Sequence, residues 1–206
     1  MSQKNTIDRY SLGERVIHWV TALSFILLAL SGLAFFHPSM FWMTNLLGGG
    51  TWARILHPFI GVVMFVAFLL MALKFWHHNV IDDNDRKWLD KIGDVIANRD
   101  EGVPPIGRYN PGQKILFWVL LAAMVVLLLS GIAMWQPYFA SKLSVGTIRA
   151  GALLHALGAL LLIFAIIVHV YSSFWVQGSM EGMLSGKVPR GWAKQHHPLW
   201  YQAQRK

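Results

Sequence analysis

Ala150–Val176 reads AGALLHALGALLLIFAIIVHVYSSFWV, twenty-seven residues without a charged side chain and with two histidines set among leucines, alanines and isoleucines. A bilayer core of roughly 30 Å takes about 20 helical residues to cross, so the stretch predicts a membrane-spanning helix. Three more runs share its character: Ile17–Phe36, Ile55–Phe75 and Ile115–Trp135. The chain has 206 residues, of which 55% are hydrophobic and 14% charged, whereas a soluble domain carries about a quarter charged residues. The expectation is an all-α integral membrane four-helix bundle. It comprises one domain over 1–206, with helices at about 17–36, 55–75, 115–135 and 150–176, a loop at 76–113 and a tail at 177–206.

Charge gives the orientation. Fifteen of the eighteen Lys and Arg residues lie before the first run, from the end of the second run (Lys74) to the start of the third, or after the fourth. Only Arg54, Lys142 and Arg149 occupy the other two connections. Positive residues stay on the cytoplasmic side, so both termini and the middle loop are expected there. The net charge of +8 follows this asymmetry, which argues for a membrane partner and against nucleic acid. There is no cysteine. That excludes disulfides, thiolate zinc, iron–sulfur clusters on this chain's own thiolates, and haem attached through C-x-x-C-H. The first run is too long for a signal-peptide core and lacks a small-residue cleavage site after it.

Four histidines lie inside the apolar runs: His18, His57, His155 and His169. An ionisable group at membrane depth is costly and marks a pathway or a cofactor. His18 enters from the cytoplasmic side, while His57 and His155 enter from the outer side. His169 follows His155 by fourteen residues, roughly 21 Å deeper at 1.5 Å per residue and within roughly 40° of the same helix face. Depth then pairs His57 with His155 near the outer face and His18 with His169 near the inner face. Each pair can supply both axial ligands of a haem iron, giving two stacked b haems that carry electrons and bind no oxygen. Gly61, Ala156, Gly158 and Ala159 are small enough for a flat macrocycle to approach the backbone. His37, His77, His78, His196 and His197 fall in loops or tails, where solvated or interfacial roles are the default.

The connections carry their own signals. His37-Pro38 and Gly48-Gly49-Gly50 are breakers expected to stop the first helix, and Trp42 and Trp52 suit an interfacial aromatic belt. In the middle loop, Trp88, Leu89, Ile92, Val95 and Ile96 recur at helical spacing. They predict a short amphipathic helix with Asn84 as N-cap, either on the membrane surface or docked on the protein. Residues 1–16 read as irregular, and no internal repeat is evident.

Longer motifs add a resemblance. They are Arg54-Ile55-Leu56-His57-Pro58-Phe59, His77-His78-Asn79, Tyr109-Asn110 with Gly112-Gln113-Lys114, and Trp135-Gln136-Pro137-Tyr138-Phe139. Gly186-Lys187-Val188, Trp192-Ala193-Lys194 and His196-His197-Pro198 with Trp200-Tyr201 complete the set. Over nearly its whole length the chain resembles the gamma subunit, cytochrome b, of membrane-bound respiratory formate dehydrogenases. The resemblance implies a bacterial inner-membrane subunit that does not itself activate formate. An alpha subunit with a molybdenum- or tungsten-pterin would oxidise formate, and an iron–sulfur beta subunit would pass electrons to the haem at His57 and His155. From there they would reach the haem at His18 and His169 and then a quinone, menaquinone or ubiquinone. The resemblance also implies a trimer of heterotrimers. The family's quinone pocket carries over onto Asn110, Gly112 and Gln113, with His169 adjacent, although Pro111 stands where a small residue is expected and lacks an N–H. The alternative for these amides is a loop that merely caps the third helix. Tyr138 and Lys142 are candidates for docking the iron–sulfur partner.

Other readings keep part of this chemistry. A hydrogenase or a thiosulfate or polysulfide reductase uses a similar cytochrome b subunit, and only surface motifs separate them. A histidine-lined transporter or proton channel is the reading from another class, but no inverted repeat or matched pair of broken helices supports it. A purely structural anchor has no reason to bear the desolvation of four histidines.

Overall fold

The computed structural model describes residues 5–97, 99, 102–136, 138–176 and 178–204. Pro137 of the motifs above, and Lys4, Arg205 and Lys206 among the basic residues counted for orientation, lie outside the described residues. Four long helices dominate: α1 (Leu12–Phe36), α2 (Gly50–Phe75), α5 (Pro111–Met134) and α6 (Val145–Trp175). All four are long and apolar enough to cross a membrane. Short helices lie between and after them: α3 (Asp83–Leu89), α4 (Ile92–Ile96), α7 (Ser179–Ser185), α8 (Arg190–His196) and α9 (Pro198–Ala203). Leu23, Ile26, Val63, Leu70, Leu129 and Phe164 are exposed on the long helices, as lipid-facing side chains should be.

Each long helix begins four or five residues before the apolar run expected for it, at 12, 50, 111 and 145 rather than 17, 55, 115 and 150. Its first turn is polar, so hydropathy misses it while backbone bonding continues through it. Ser11 and Glu14 open α1 reciprocally: the Ser11 N–H donates to Glu14 Oε2 (2.6 Å) and the Glu14 N–H to Ser11 Oγ (3.3 Å). Asn110 and Gln113 do the same for α5, at 2.9 and 2.8 Å. Pro111 falls at the first helical position, where its missing N–H has no partner to lose. The break after α1 comes from His37-Pro38. Gly48 and Gly49, at φ +89° and +96°, instead end the 3-10 helix Pro38–Leu47.

Contacts divide the chain into two compact units. The bundle unit holds Val16–Leu73 and Val119–His169, and so contains the four histidines of the apolar helices. The loop-and-tail unit holds Met1–Arg15, Lys74–Trp118 and Val170–Lys206.

In the loop-and-tail unit, residues expected to be irregular form a strand. β1 (Thr6–Asp8) pairs antiparallel with β2 (Lys187–Pro189), Ile7 opposite Val188. The Arg9 and Tyr10 N–H groups both donate to Gly186 O, at 2.8 and 3.1 Å. Gly186 has φ +85°, and a Cβ there would come within 2.7 Å of Tyr10 O, so the junction requires glycine. Val188, Ala193 and Trp200 form a small core against Ile7, Trp192 and Tyr201. The buried Arg9 guanidinium lies 4.3 Å from the Trp200 ring centroid. Arg9 donates to Arg108 O (2.5 Å), and Arg108 returns a bond to Arg9 O (2.8 Å).

The middle-loop helix is two short helices rather than one. Its N-cap is Asp82, not Asn84: Asp82 and Asp85 each accept the other's backbone N–H, at 2.9 and 2.8 Å. Asn84 instead donates to Pro105 O (2.7 Å). Donation from the Asp85 N–H holds the Asp82 carboxyl below the usual aspartate range. Trp88 and Asp85 are buried, and Asp85 pairs with Lys114 Nζ at 2.6 Å, so α3 docks on the protein. Ile92 and Ile96 of α4 are exposed.

Candidate functional site: paired histidines in the apolar helices

In the bundle unit the four histidines meet in twos. His57 on α2 faces His155 on α6 with ring centroids 6.3 Å apart, and His18 on α1 faces His169 on α6 at 6.4 Å. A first-row metal ion lies about 2.0–2.1 Å from a histidine nitrogen, with the ring centroid roughly 1 Å behind it. Two imidazoles facing across one ion therefore hold their centroids roughly 6 Å apart. Both pairs have that spacing. Their planes differ by 59° and 52°. Among the described residues no group of three or more His, Cys, Asp or Glu could hold a metal ion.

A cavity of about 560 Å³ surrounds the His57–His155 pair. Its walls are apolar, with Met64, Phe65, Met124, Leu127 and Ala159 among them, which suits a macrocycle. Gly61, one turn beyond His57, also lines it, and a Cβ there would meet nothing within 4 Å. Arg54, one turn before His57, is exposed and is the cation among the lining residues, suited to a carboxylate at the rim.

Two serines missed by the sequence reading touch the histidines. Ser31 Oγ on α1 lies 2.7 Å from His57 Nδ1, and Ser130 Oγ on α5 lies 3.0 Å from His155 Nδ1. Each is followed by a glycine beside the same ring. A Cβ on Gly32 would sit 3.7 Å from His57 Cε1, and one on Gly131 would sit 3.3 Å from His155 Cε1. The signal was present in the sequence: Leu30-Ser31-Gly32-Leu33-Ala34 in the first helix and Leu129-Ser130-Gly131-Ile132-Ala133 in the third. A five-residue correspondence passes unnoticed when repeats are sought at the length of whole structural units. His18 differs, because its Nδ1 is buried without a hydrogen-bond partner.

The remaining expected residues lie elsewhere. Asn110 and Gln113 use their amide oxygens in the α5 cap, and a Cβ on Gly112 would approach Asn110 Oδ1 at 3.3 Å. His197 is not solvated: it is buried, and its Nδ1–H donates to Gly107 O at 2.9 Å. Burial, reinforced by the Arg9 charge, pushes its pKa down to about 3. His37 Nδ1 accepts from the Ser39 N–H and so caps the following 3-10 helix.

Paired imidazoles within a bundle of apolar helices define a haem-binding membrane protein. The chain belongs to the prokaryotic cytochrome b561 family, whose profile matches residues 9–186. It is 46% identical over 206 residues to the formate dehydrogenase cytochrome b556(fdo) subunit of Escherichia coli K12, covering 100% of this chain and 97% of the relative. It is 43% identical over 202 residues to the nitrate-inducible formate dehydrogenase cytochrome b556(Fdn) subunit of the same strain, covering 98% and 93%. It is 42% identical over 202 residues to the formate dehydrogenase cytochrome b556 subunit of Haemophilus influenzae, covering 98% and 85%. The chain is an integral membrane cytochrome b of electron transport, and haem b is its prosthetic group.

Proposed function

We propose that the chain is the dihaem cytochrome b subunit of a membrane-bound formate dehydrogenase, carrying electrons between an iron–sulfur partner and quinone. What carries the reading is identity above 40% along nearly the full length to three cytochrome b556 subunits of formate dehydrogenases. His57 and His155 would hold one haem and His18 and His169 the other, each pair already at the spacing of two axial ligands. When bound, haem b would supply one-electron redox chemistry, with the four histidines as the residues that would hold it. The helices orient the imidazoles and keep water from them, and Arg54 offers its charge to a propionate. The charge asymmetry supports cytoplasmic termini in a bacterial inner membrane, which puts the His57–His155 pair toward the outer face. Quinone would bind near the cytoplasmic face at Asn110, Gly112 and Gln113, whose amide nitrogens are donors for a quinone carbonyl. The subunit would work in a complex with iron–sulfur and pterin subunits, with the exposed Tyr138 and Lys142 on the docking face.

The test is haem per chain by pyridine haemochromogen assay on the purified complex, with His57→Ala and His169→Ala alongside. Two low-spin b haems, with each variant losing a different one, is the expected result. A single haem, or both variants losing the same one, would overturn the pairing. Co-purification with a hydrogenase rather than a formate-oxidising subunit would overturn the partner.

A further inference from the structure

We infer that Ser31 and Ser130 are positioning residues for the haem held by His57 and His155. Each accepts the Nδ1–H of its histidine, so that Nε2 is presented to iron and the ligand becomes more electron-donating. The inference rests on assigning a haem to this pair.

The hydroxyls decide the direction of the hydrogen bond. A serine has one proton to donate. Ser31 Oγ lies 2.8 Å from Leu27 O and Ser130 Oγ lies 2.6 Å from Val126 O, each the carbonyl one helical turn back. The proton goes to that carbonyl, which leaves the oxygen to accept from Nδ1. An imidazole protonated at Nδ1 has its lone pair on Nε2. The opposite direction would put the proton on Nε2 and bar that nitrogen from a metal. Each ring is thus bounded at Nδ1 by serine and near Cε1 by glycine, and the edge carrying Nε2 is left for the ligand.

A hydrogen bond of this kind fixes the ring of a metal-bound histidine and raises its basicity, which favours the ferric over the ferrous ion. The same device occurs twice on one iron site, from two different helices. His18 has no such acceptor at its Nδ1. The His57–His155 haem is therefore held at a lower potential than it would have without the serines, and the other haem is insensitive to them.

The experiment uses the intact complex with Ser31→Ala, Ser130→Ala, the double variant, and Ser31→Thr and Ser130→Thr. Each is followed by haem content and by a redox titration resolving the two haems. In the double alanine variant, haem at this site should be retained roughly tenfold less tightly. Its midpoint should rise by up to a tenfold change in the ferric-to-ferrous ratio, which is about 59 mV for one electron. The second midpoint should stay fixed, and threonine, which keeps the hydroxyl, should restore the first. Ser24→Ala, two turns before Ser31 on α1, controls for general effects of removing a helix serine and should leave both midpoints unchanged. Should the double variant fail to accumulate, the single variants report the same midpoint. Unchanged midpoints and haem retention in the alanine variants would overturn the inference, provided His57→Ala removes one haem. Retention of both haems in His57→Ala would instead overturn the assignment beneath it.

Discussion

Adding a methyl group at Gly131 or at Gly32 perturbs the two halves of the His57–His155 site unequally. In a helix, alanine is favoured over glycine by about 0.5–1 kcal/mol because the unfolded chain loses less freedom. At Gly32 the new Cβ would lie 3.7 Å from His57 Cε1, an ordinary contact. That substitution should therefore keep the full gain. At Gly131 the Cβ would lie 3.3 Å from His155 Cε1, so the ring must give by a few tenths of an ångström. The ring cannot retreat freely, because Ser130 holds its Nδ1 at 3.0 Å. Overpacking of a filled site costs about 1–3 kcal/mol, so Gly131→Ala should end between neutral and about 2 kcal/mol less stable. Thermal unfolding of the haem-loaded complex, read at the haem absorption band, separates the two. Gly32→Ala should melt higher with an unchanged spectrum. Gly131→Ala should melt at or below the parent, with a shift in the band of one haem. If both variants stabilise alike and both spectra stay fixed, the contact at Gly131 does not constrain the ligand and the reasoning fails.

The loop-and-tail unit makes two further predictions. His197 stays neutral when folded, with a pKa near 3, whereas its unfolded value is about 6.5. The unfolded chain alone then takes up a proton as pH falls from about 6.5, and stability drops by about 1.4 kcal/mol per unit, roughly 2 kcal/mol by about pH 5. Hydrogen exchange in residues 187–204 should quicken over that range, and His197→Asn, which keeps a donor for Gly107 O, should flatten the response; a flat parent profile would count against it. Lys114→Met would strand the buried Asp85 carboxylate and should cost about 3–5 kcal/mol, read as a fall in melting temperature. Adding Asp85→Asn, which keeps an acceptor for the Asp82 N–H, should recover most of the loss, and no recovery would mean that the ion pair is not the cause.

The spans and the histidines were legible because a bilayer punishes charge. An uncharged run of about 20 residues matches the thickness of a bilayer core, and a histidine within it calls for a partner at its own depth. Helix starts were not legible, since Leu12–Val16 contains Glu14 and Arg15 and hydropathy sees a loop where the backbone is already helical. The β1–β2 ribbon joins residues 6–8 to 187–189, and three-residue strands are too short to show a period. His197 looked solvated because its polar partner, Gly107 O, comes from a segment 90 residues away, while the neighbouring Trp192 and Trp200 close over it only once the tail has folded. Asn84 was a reasonable cap by residue type, but Asp82 stands three residues before another acidic side chain and so closes a reciprocal pair that Asn84 cannot. The serines escaped for a different reason. A serine in an apolar helix ordinarily returns its hydroxyl to the preceding turn, and both do so; only the second bond, to another helix, marks them out.

That second bond also distinguishes how the two histidine pairs are built. Ser31 and His57 are 26 residues apart, on the consecutive helices α1 and α2, and Ser130 and His155 are 25 apart, on α5 and α6. Each ring of this pair is thus oriented within a single helical hairpin, before the two hairpins need to meet. Closing a loop of that length is a modest entropic step, whereas contacts between distant segments must bear the ordering of everything between them. The His18–His169 pair joins the first long helix to the last, so nothing within one hairpin prepares it. A chain that orients the His57 and His155 rings locally can bring two prepared halves of the pair together. The glycine after each serine belongs to the same economy of space, since it lets the neighbouring ring lie against the helix that carries its hydrogen-bond acceptor. The repeated Leu-Ser-Gly is thus a shared solution to one local requirement, the fixing of an imidazole on the next helix of the chain.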